Sequence, residues 1–339
     1  MWRVIICKTP YRVGLLGGGS DLPAWFSERP GAVLSAAISR YCWITCRYLP
    51  PFFDHRSRFV WSQIERVNSS EAIQHPAIRA CLEFMNMSSS RLEVHHDGDL
   101  PARSGMGTSS AFSVGLLHAL HSLQGTLVSK RQLALEAIEV DQDIVKEAVG
   151  CQDHITAAHG GINHLTFYKT RESFTASAIP LSASTRDRLQ HSLMLFYTGV
   201  ARDAAVVEAA KIAELPSKTD TMQQMVNMVD RGIRLLIAGD LDAFGALIGE
   251  SWELKKQLSP LVSSSFIDSC YSRAIKAGAL GGKLCGAGSG GVLLFYVPQR
   301  YQAAVKHELK DLLHIPFEFD YSGSQLVYYD QDEETRAAG

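Results

Sequence analysis

With 339 residues, 46% hydrophobic and 20% charged, the chain has the apolar content for a substantial core and a length that suits one large or two ordinary domains. No apolar run is long enough to span a bilayer, and a net charge of −2 offers no basic face to a phosphate backbone, so membrane-spanning and nucleic-acid-binding classes drop out. Seven cysteines, at 7, 42, 46, 81, 151, 270 and 285, make neither a disulfide framework nor paired CxxC zinc spacing, and the start Met1–Cys7 is too short and too soon polar for a signal peptide. A reduced, cytoplasmic protein with small-molecule partners is expected, with a homo-oligomer left open.

The first third predicts strands at Met1–Cys7, Val33–Ile38, Tyr41–Tyr48 and Leu92–His95, with a short helix at Pro76–Met85. Apolar residues at mixed three and four spacings then predict a helix over Thr108–Leu123, ended by Gly125. Ser129 with Gln132 reads as a capping box, opening a helix that runs through Leu133, Ala137 and Val140 toward Val145. Between Leu165 and Ser192 the signals weaken to strands and a polar stretch, Ser182–Arg186, which suggests domains at 1–185 and 186–339. The second half predicts helices at Asp203–Glu214, Asp220–Ala238, Leu241–Leu258 and Ser265–Ala277, then a strand at Val292–Val297.

Glycine clusters at Gly17–Gly19, Gly105–Gly107, and Gly281–Gly282 with Gly286–Gly291 could each, alone, be turn filler. The middle one differs, because Thr108, Ser109, Ser110 and a periodic helix follow at once. Small residues there admit a ligand to the backbone, and the first amides of a helix are unpaired donors at the positive end of its dipole. An anion site is the expectation, with the hydroxyls suited to magnesium beside phosphates. It is no Walker A loop, since Gly282-Lys283 is followed by Leu284 and not by Ser or Thr. Gly286-x-Gly288-x-x-Gly291 has Rossmann letters, but it leads into a strand where that motif needs a helix.

Together the three clusters resemble the signature motifs of the GHMP kinases. Thr9-Pro10-Tyr11-Arg12 through Asp21 looks like motif one, Leu100-Pro101 through Ala111 like motif two, and Gly281-Gly282-Lys283 through Gly288 like motif three. Within the family, Gly17-Gly18-Gly19-Ser20-Asp21-Leu22-Pro23 and Glu250-Ser251-Trp252-Glu253-Leu254-Lys255-Lys256 look most like the bacterial kinases of D-glycero-D-manno-heptose 7-phosphate. The resemblance implies an α+β, two-lobed fold: an N-terminal α/β lobe with a left-handed βαβ crossover and a C-terminal ferredoxin-like lobe. It implies ATP and Mg2+ as cofactors and a sugar phosphate as substrate, phosphorylated at its anomeric hydroxyl. A fucokinase- or galactokinase-like sugar 1-kinase is the nearest alternative. A silent sugar or nucleotide sensor is a further one, against which the retained Arg12, Asp153 and Ser109 argue.

Residue by residue, the resemblance makes Asp153 the catalytic base and Arg12 its basic partner. Pro101, Ser104, Gly105, Met106, Gly107, Thr108, Ser109 and Ser110 would hold the ATP phosphates. Metal ligation falls on Ser109 and on Asp141, where the family usually has Glu, with Glu139 or Asp143 as substitutes for the shorter side chain. Gly18, Gly19, Ser20, Asp21 and Gly288 would meet the sugar, Asp21 by accepting from hydroxyls. Arg202 and Lys283, with Lys8 as a third, would meet the phosphate the sugar already carries. The histidines show no ligand-type cluster, and no zinc is expected.

Overall fold

The computed structural model describes residues 4–200 and 204–329. Its strands are β1 (Val4–Leu16), β2 (Gly31–Tyr48), β3 (Ser57–Val60), β4 (Ile64–Val67), β5 (Leu92–Gly98), β6 (Ile162–Tyr168), β7 (Thr170–Ala178), β8 (Leu193–Tyr197), β9 (Gly281–Leu284), β10 (Val292–Tyr296), β11 (Leu313–Ile315) and β12 (Gln325–Tyr329). Its helices are α1 (Pro23–Phe26), α2 (Pro76–Phe84), α3 (Thr108–Leu123), α4 (Lys130–Glu139), α5 (Gln152–His159), α6 (Ala183–Ser192), α7 (Ala204–Glu214), α8 (Thr219–Ala238), α9 (Leu241–Lys256), α10 (Ser265–Lys276) and α11 (Gln302–Glu308).

The larger sheet runs β12-β1-β2-β5-β3-β4, with β6 on β2 and β7 on β6. What looked like two strands at 33–38 and 41–48 is one long strand. Pro10 faces Tyr41 while Tyr11 faces Ile38, so Ser39 and Arg40 form a bulge opposite a proline that has no amide to donate. The strand therefore forks, pairing with β6 through Gly31–Ala36 and with β5 through Cys42–Tyr48. Alternate residues of β1, namely Ile5, Cys7, Tyr11, Val13 and Leu15, enter the main core with α3, whose Ala111 to Leu123 span is buried almost all round.

The smaller sheet is antiparallel in the order β11-β8-β10-β9. This fourth-first-third-second order is the ferredoxin-like split βαβ pattern. Both faces are covered, so its strands read as unbroken apolar runs: Leu195, Val292 and Leu294 join the main core, while Phe196, Leu293 and Phe295 pack on Trp252, Ile267 and Val305. Gly281-Gly282 proves to be strand, not loop. A Cβ on Gly281 would lie 2.1 Å from the Gly245 carbonyl oxygen, so only glycine lets α9 pack this closely.

The stretch expected at the boundary is ordered, and the second half of the sequence contributes to both sheets. Ser182, in the stretch expected to separate the lobes, caps α6 by accepting from the Thr185 amide at 3.0 Å. Strand β12, from the second half of the sequence, returns to pair with β1 on the larger sheet. No helix among the described residues is long and apolar enough to cross a membrane.

Candidate active site

Before α3, positive φ recurs at every second residue: Arg103 at 61°, Gly105 at 78° and Gly107 at 74°. Such alternation turns successive amides toward one side and makes a concave anion seat, here continued by the N-terminus of α3. The seat is held from two directions. The Arg12 amide donates to the Met106 carbonyl at 3.0 Å, and the motif-three turn lies so close that a Cβ on Gly105 would sit 2.7 Å from the Cys285 carbonyl oxygen. The reciprocal Cβ on Gly286 would be 2.6 Å from Gly105 Cα, which explains why both motifs carry glycine there. Ser104 is buried, and its hydroxyl has no partner among the described residues.

Arg12, near the middle of β1, reaches this loop and the first turn of α5 together. Its Nη1 donates to the Gly105 carbonyl at 2.7 Å, its Nε to Asp153 Oδ1 at 2.6 Å, and its Nη2 to Asp153 Oδ2. Burial alone would disfavour this guanidinium, but the charge and hydrogen bonds of Asp153 outweigh it and hold Arg12 more firmly protonated. Asp153 keeps 20% of its side chain exposed, enough to meet a ligand. It is not a cap; it stands in the first turn of α5, whose N-cap is Cys151.

Asp21 is almost fully buried and ties motif one to α5. It accepts from the Gly19 amide at 2.9 Å, from the Gln152 amide at 3.1 Å and from the Gln152 side chain at 3.0 Å. Burial first, then the charge of Asp153, push its carboxyl above the usual carboxylate range. Gly18 lies under the Gln152 side chain, while the Ser20 hydroxyl donates to the carbonyls of Gly17 and Ala32.

The carboxylate that faces Ser109 is Glu147, at 3.5 Å, and not one of the three acids expected there. Asp141 sits in a π-helical turn, Val140–Ile144, and is buried: it accepts from Ser113 Oγ at 2.7 Å and lies 2.8 Å from His154 Nε2. Asp143 bridges Arg171 at 2.6 Å, and Glu139 points to solvent. The wide turn carries the chain onward so that the Glu147 amide donates to the Asp141 carbonyl at 2.9 Å, which sets Glu147 beside α3. Burial, then the Asp141 charge, push the Glu147 carboxyl up, as fits a group that would welcome a cation.

Lys283 and Lys255 are both buried close to the motif-three turn. Lys283 donates to the Leu15 carbonyl at 3.2 Å, and Lys255 to those of Leu284 at 3.1 Å and Gly286 at 2.5 Å. Gly288 packs against the Val262 backbone, and Lys8 lies over the Tyr41 ring. Arg202 lies outside the described residues.

Two family models cover this architecture: the GHMP kinases N terminal domain matches residues 73–161 and the GHMP kinases C terminal domain residues 233–315. The chain belongs to the GHMP kinases. It is thus an ATP-dependent phosphotransferase with an alcohol acceptor, and a sugar kinase of that superfamily. Among curated relatives, this GHMP kinase is 26% identical to the D-glycero-alpha-D-manno-heptose 7-phosphate kinase of Campylobacter jejuni, over 87% of this chain and 90% of that one. It is 24% identical to the galactokinase of Pyrococcus furiosus, over 85% and 87%. Among solved structures, a D-glycero-D-manno-heptose 1-phosphate kinase from Bacteroides thetaiotaomicron superposes with a TM-score of 0.79 at 22% identity, covering 98% of this chain and 100% of that one.

Glu147, Gln152, Lys211 and Lys255 were not assigned roles from sequence. Lys255 did leave a signal, because it extends the buried stripe Phe244, Ile248, Trp252 at helical spacing, an unusual place for a lysine. Glu147 left none, since it lies in a loop with no period.

Proposed function

We propose that this GHMP kinase transfers the γ-phosphoryl group of ATP to the anomeric hydroxyl of D-glycero-D-manno-heptose 7-phosphate, giving the 1,7-bisphosphate and ADP. The observation that carries the chemistry is the Arg12–Asp153 pair standing against the amide-lined seat at Gly105. Asp153 takes the proton of the hydroxyl as the sugar O–P bond forms and the bond from phosphorus to the ADP oxygen breaks. Arg12 keeps the carboxylate oriented and spreads charge on the phosphoryl oxygens, while the amides of 104–110 stabilise the departing phosphates. Ser109 and Glu147, two hard oxygen donors facing one another, fit a magnesium ion, which would neutralise phosphate charge there. Asp21 and Gln152 hold the sugar side of the site and the first turn of α5 in one register. Use of ATP and a sugar phosphate suits a cytoplasmic enzyme feeding nucleotide-activated heptose synthesis for lipopolysaccharide, capsule or S-layer glycan.

The choice of sugar is supported by the Campylobacter relative, which aligns along nearly all of both chains. A kinase of an unphosphorylated sugar is the second reading, favoured by the galactokinase and by a bifunctional fucokinase/GDP-fucose pyrophosphorylase of Arabidopsis thaliana that is 23% identical over 92% of this chain and 31% of that one. A coupled assay of ADP release across free sugars and sugar phosphates decides between them. Turnover of heptose 7-phosphate well above that of free heptose, fucose and galactose is expected; turnover of free sugars alone would sink the heptose phosphate assignment.

A further inference from the structure

We propose that Lys255 and Lys283 form a buried seat for the phosphate that the sugar substrate already carries, built from side-chain ammonium groups where the seat for the ATP phosphates is built from backbone amides. The inference rests on the sugar phosphate reading above and assigns its second anion to residues.

The two side chains are only 6% and 5% exposed. Neither makes an ion pair with a carboxylate among the described residues; their contacts are the carbonyls of Leu15, Leu284 and Gly286. An ammonium group has three N–H donors, so Lys255 retains one and Lys283 two for a ligand. Among the described residues, neighbouring charges do not supply the missing counter-ion. Arg12 is already matched by Asp153, and Lys211 of α7 bridges Glu208 at 2.7 Å. Asp21, the remaining acid near Lys283, spends its oxygens on Gly19 and Gln152.

Two like charges buried together, with only carbonyl oxygens opposite among the described residues, cost stability unless an anion joins them. Both ammonium groups accordingly titrate low, Lys283 down to about 8, through burial above all and through the repulsion of neighbouring cations. A phosphate dianion has the charge and the acceptor oxygens to satisfy both. Lys283 is bonded to the Leu15 carbonyl, three residues along β1 from Arg12, and Lys255 to the carbonyl of Gly286, whose turn packs against Gly105, so both ammonium groups border the site that holds the Arg12–Asp153 pair.

The test uses the full chain with Lys255→Met and Lys283→Met, measured side by side because the first leaves two carbonyls without a donor. For each, the KM for heptose 7-phosphate should rise about 10- to 100-fold, the loss expected for a charge-assisted contact, while the KM for ATP stays within about twofold. The preference for heptose 7-phosphate over free heptose should shrink by the same factor. Inorganic phosphate should raise the melting temperature of the native enzyme more than that of either variant. A rise in the KM for ATP with that for the sugar phosphate unmoved would overturn the proposal, as would equal losses on the phosphorylated and free sugars. If heptose 7-phosphate is the substrate but both variants keep its KM, the seat is wrong and the sugar assignment stands. If only free sugars turn over, yet phosphate stabilises in a Lys255- and Lys283-dependent way, the sugar assignment fails and the seat stands.

Discussion

Four buried or nearly buried cations gather beneath motif three, and they fall into two kinds. Arg12 and Lys211 each have a carboxylate within an ion-pair distance, whereas Lys255 and Lys283, among the described residues, have only backbone carbonyls. A matched cation is complete in the protein as it stands; its task is to orient its partner and lend charge where the reaction develops it. An unmatched one raises the energy of the free protein and lowers it again when an anion arrives, so it marks where a ligand carries charge. Under the proposed function, the difference separates the Arg12–Asp153 pair, which serves transfer, from Lys255 and Lys283, which serve recognition.

The comparison breaks most sharply at Asp153. Asp153→Asn should lower kcat by about 10²- to 10⁴-fold, the worth of a positioned general base, with the KM for ATP little changed. Steady-state kinetics with retention of activity within tenfold would show that the Arg12–Asp153 pair is structural instead. Next comes the seat itself. Gly105→Ala forces a Cβ toward the Cys285 carbonyl at a φ of 78°, so a stability loss of about 1–3 kcal/mol and a weakening of ATP binding are expected from thermal unfolding and nucleotide titration.

Glu147 and Asp141 can be told apart in the same spirit. Glu147→Gln should raise the magnesium concentration needed for half-maximal rate by about tenfold or more, as loss of a charged oxygen donor implies. Asp141→Asn should act mainly on stability, by about 1–3 kcal/mol, because it disturbs the buried contacts to Ser113 and His154. A magnesium titration that moved with Asp141 and not with Glu147 would reverse the assignment.

The smallest effect is a pH dependence of the unmatched cations. Lys283 is faced by Arg12 from β1, Asp21 from the motif-one turn, Lys211 from α7, Lys255 from α9 and Cys285 at the end of its own strand. With a pKa lowered to about 8, it is charged below that value and neutral above it. The sugar phosphate, whose second pKa is about 6, is already dianionic there. Its kcat/KM should therefore be flat up to about pH 8 and fall by up to about tenfold per unit above it. A profile flat to pH 9.5 would remove Lys283 from recognition.

Much of the fold was legible because its longer elements advertise themselves. The helices expected at Thr108–Leu123 and Ser265–Ala277 form as Thr108–Leu123 and Ser265–Lys276, and Ser129 accepts from the Gln132 amide as an N-cap should. Helix α5 was missed: eight residues between Gly150 and Gly160 with no amphipathic run give no local signal, and the main core holds it in place. Strands β11 and β12 were missed for a like reason, since each is short and finds its partner far away in sequence.

The glycine motifs and the acidic and basic letters around them were enough, through sequence alone, to name the family and to point to the base and the phosphate loop proposed above. Those features are local, since a left-handed backbone and an exposed helix start need particular residues at particular spacings. Which carboxylate faces Ser109, which cations are matched and which are not, was decided only by tertiary structure. Such pairing depends on chains brought together across the cleft: β1 with α5, α9 with the motif-three turn, and a π turn that carries Glu147 to Ser109 while it buries Asp141.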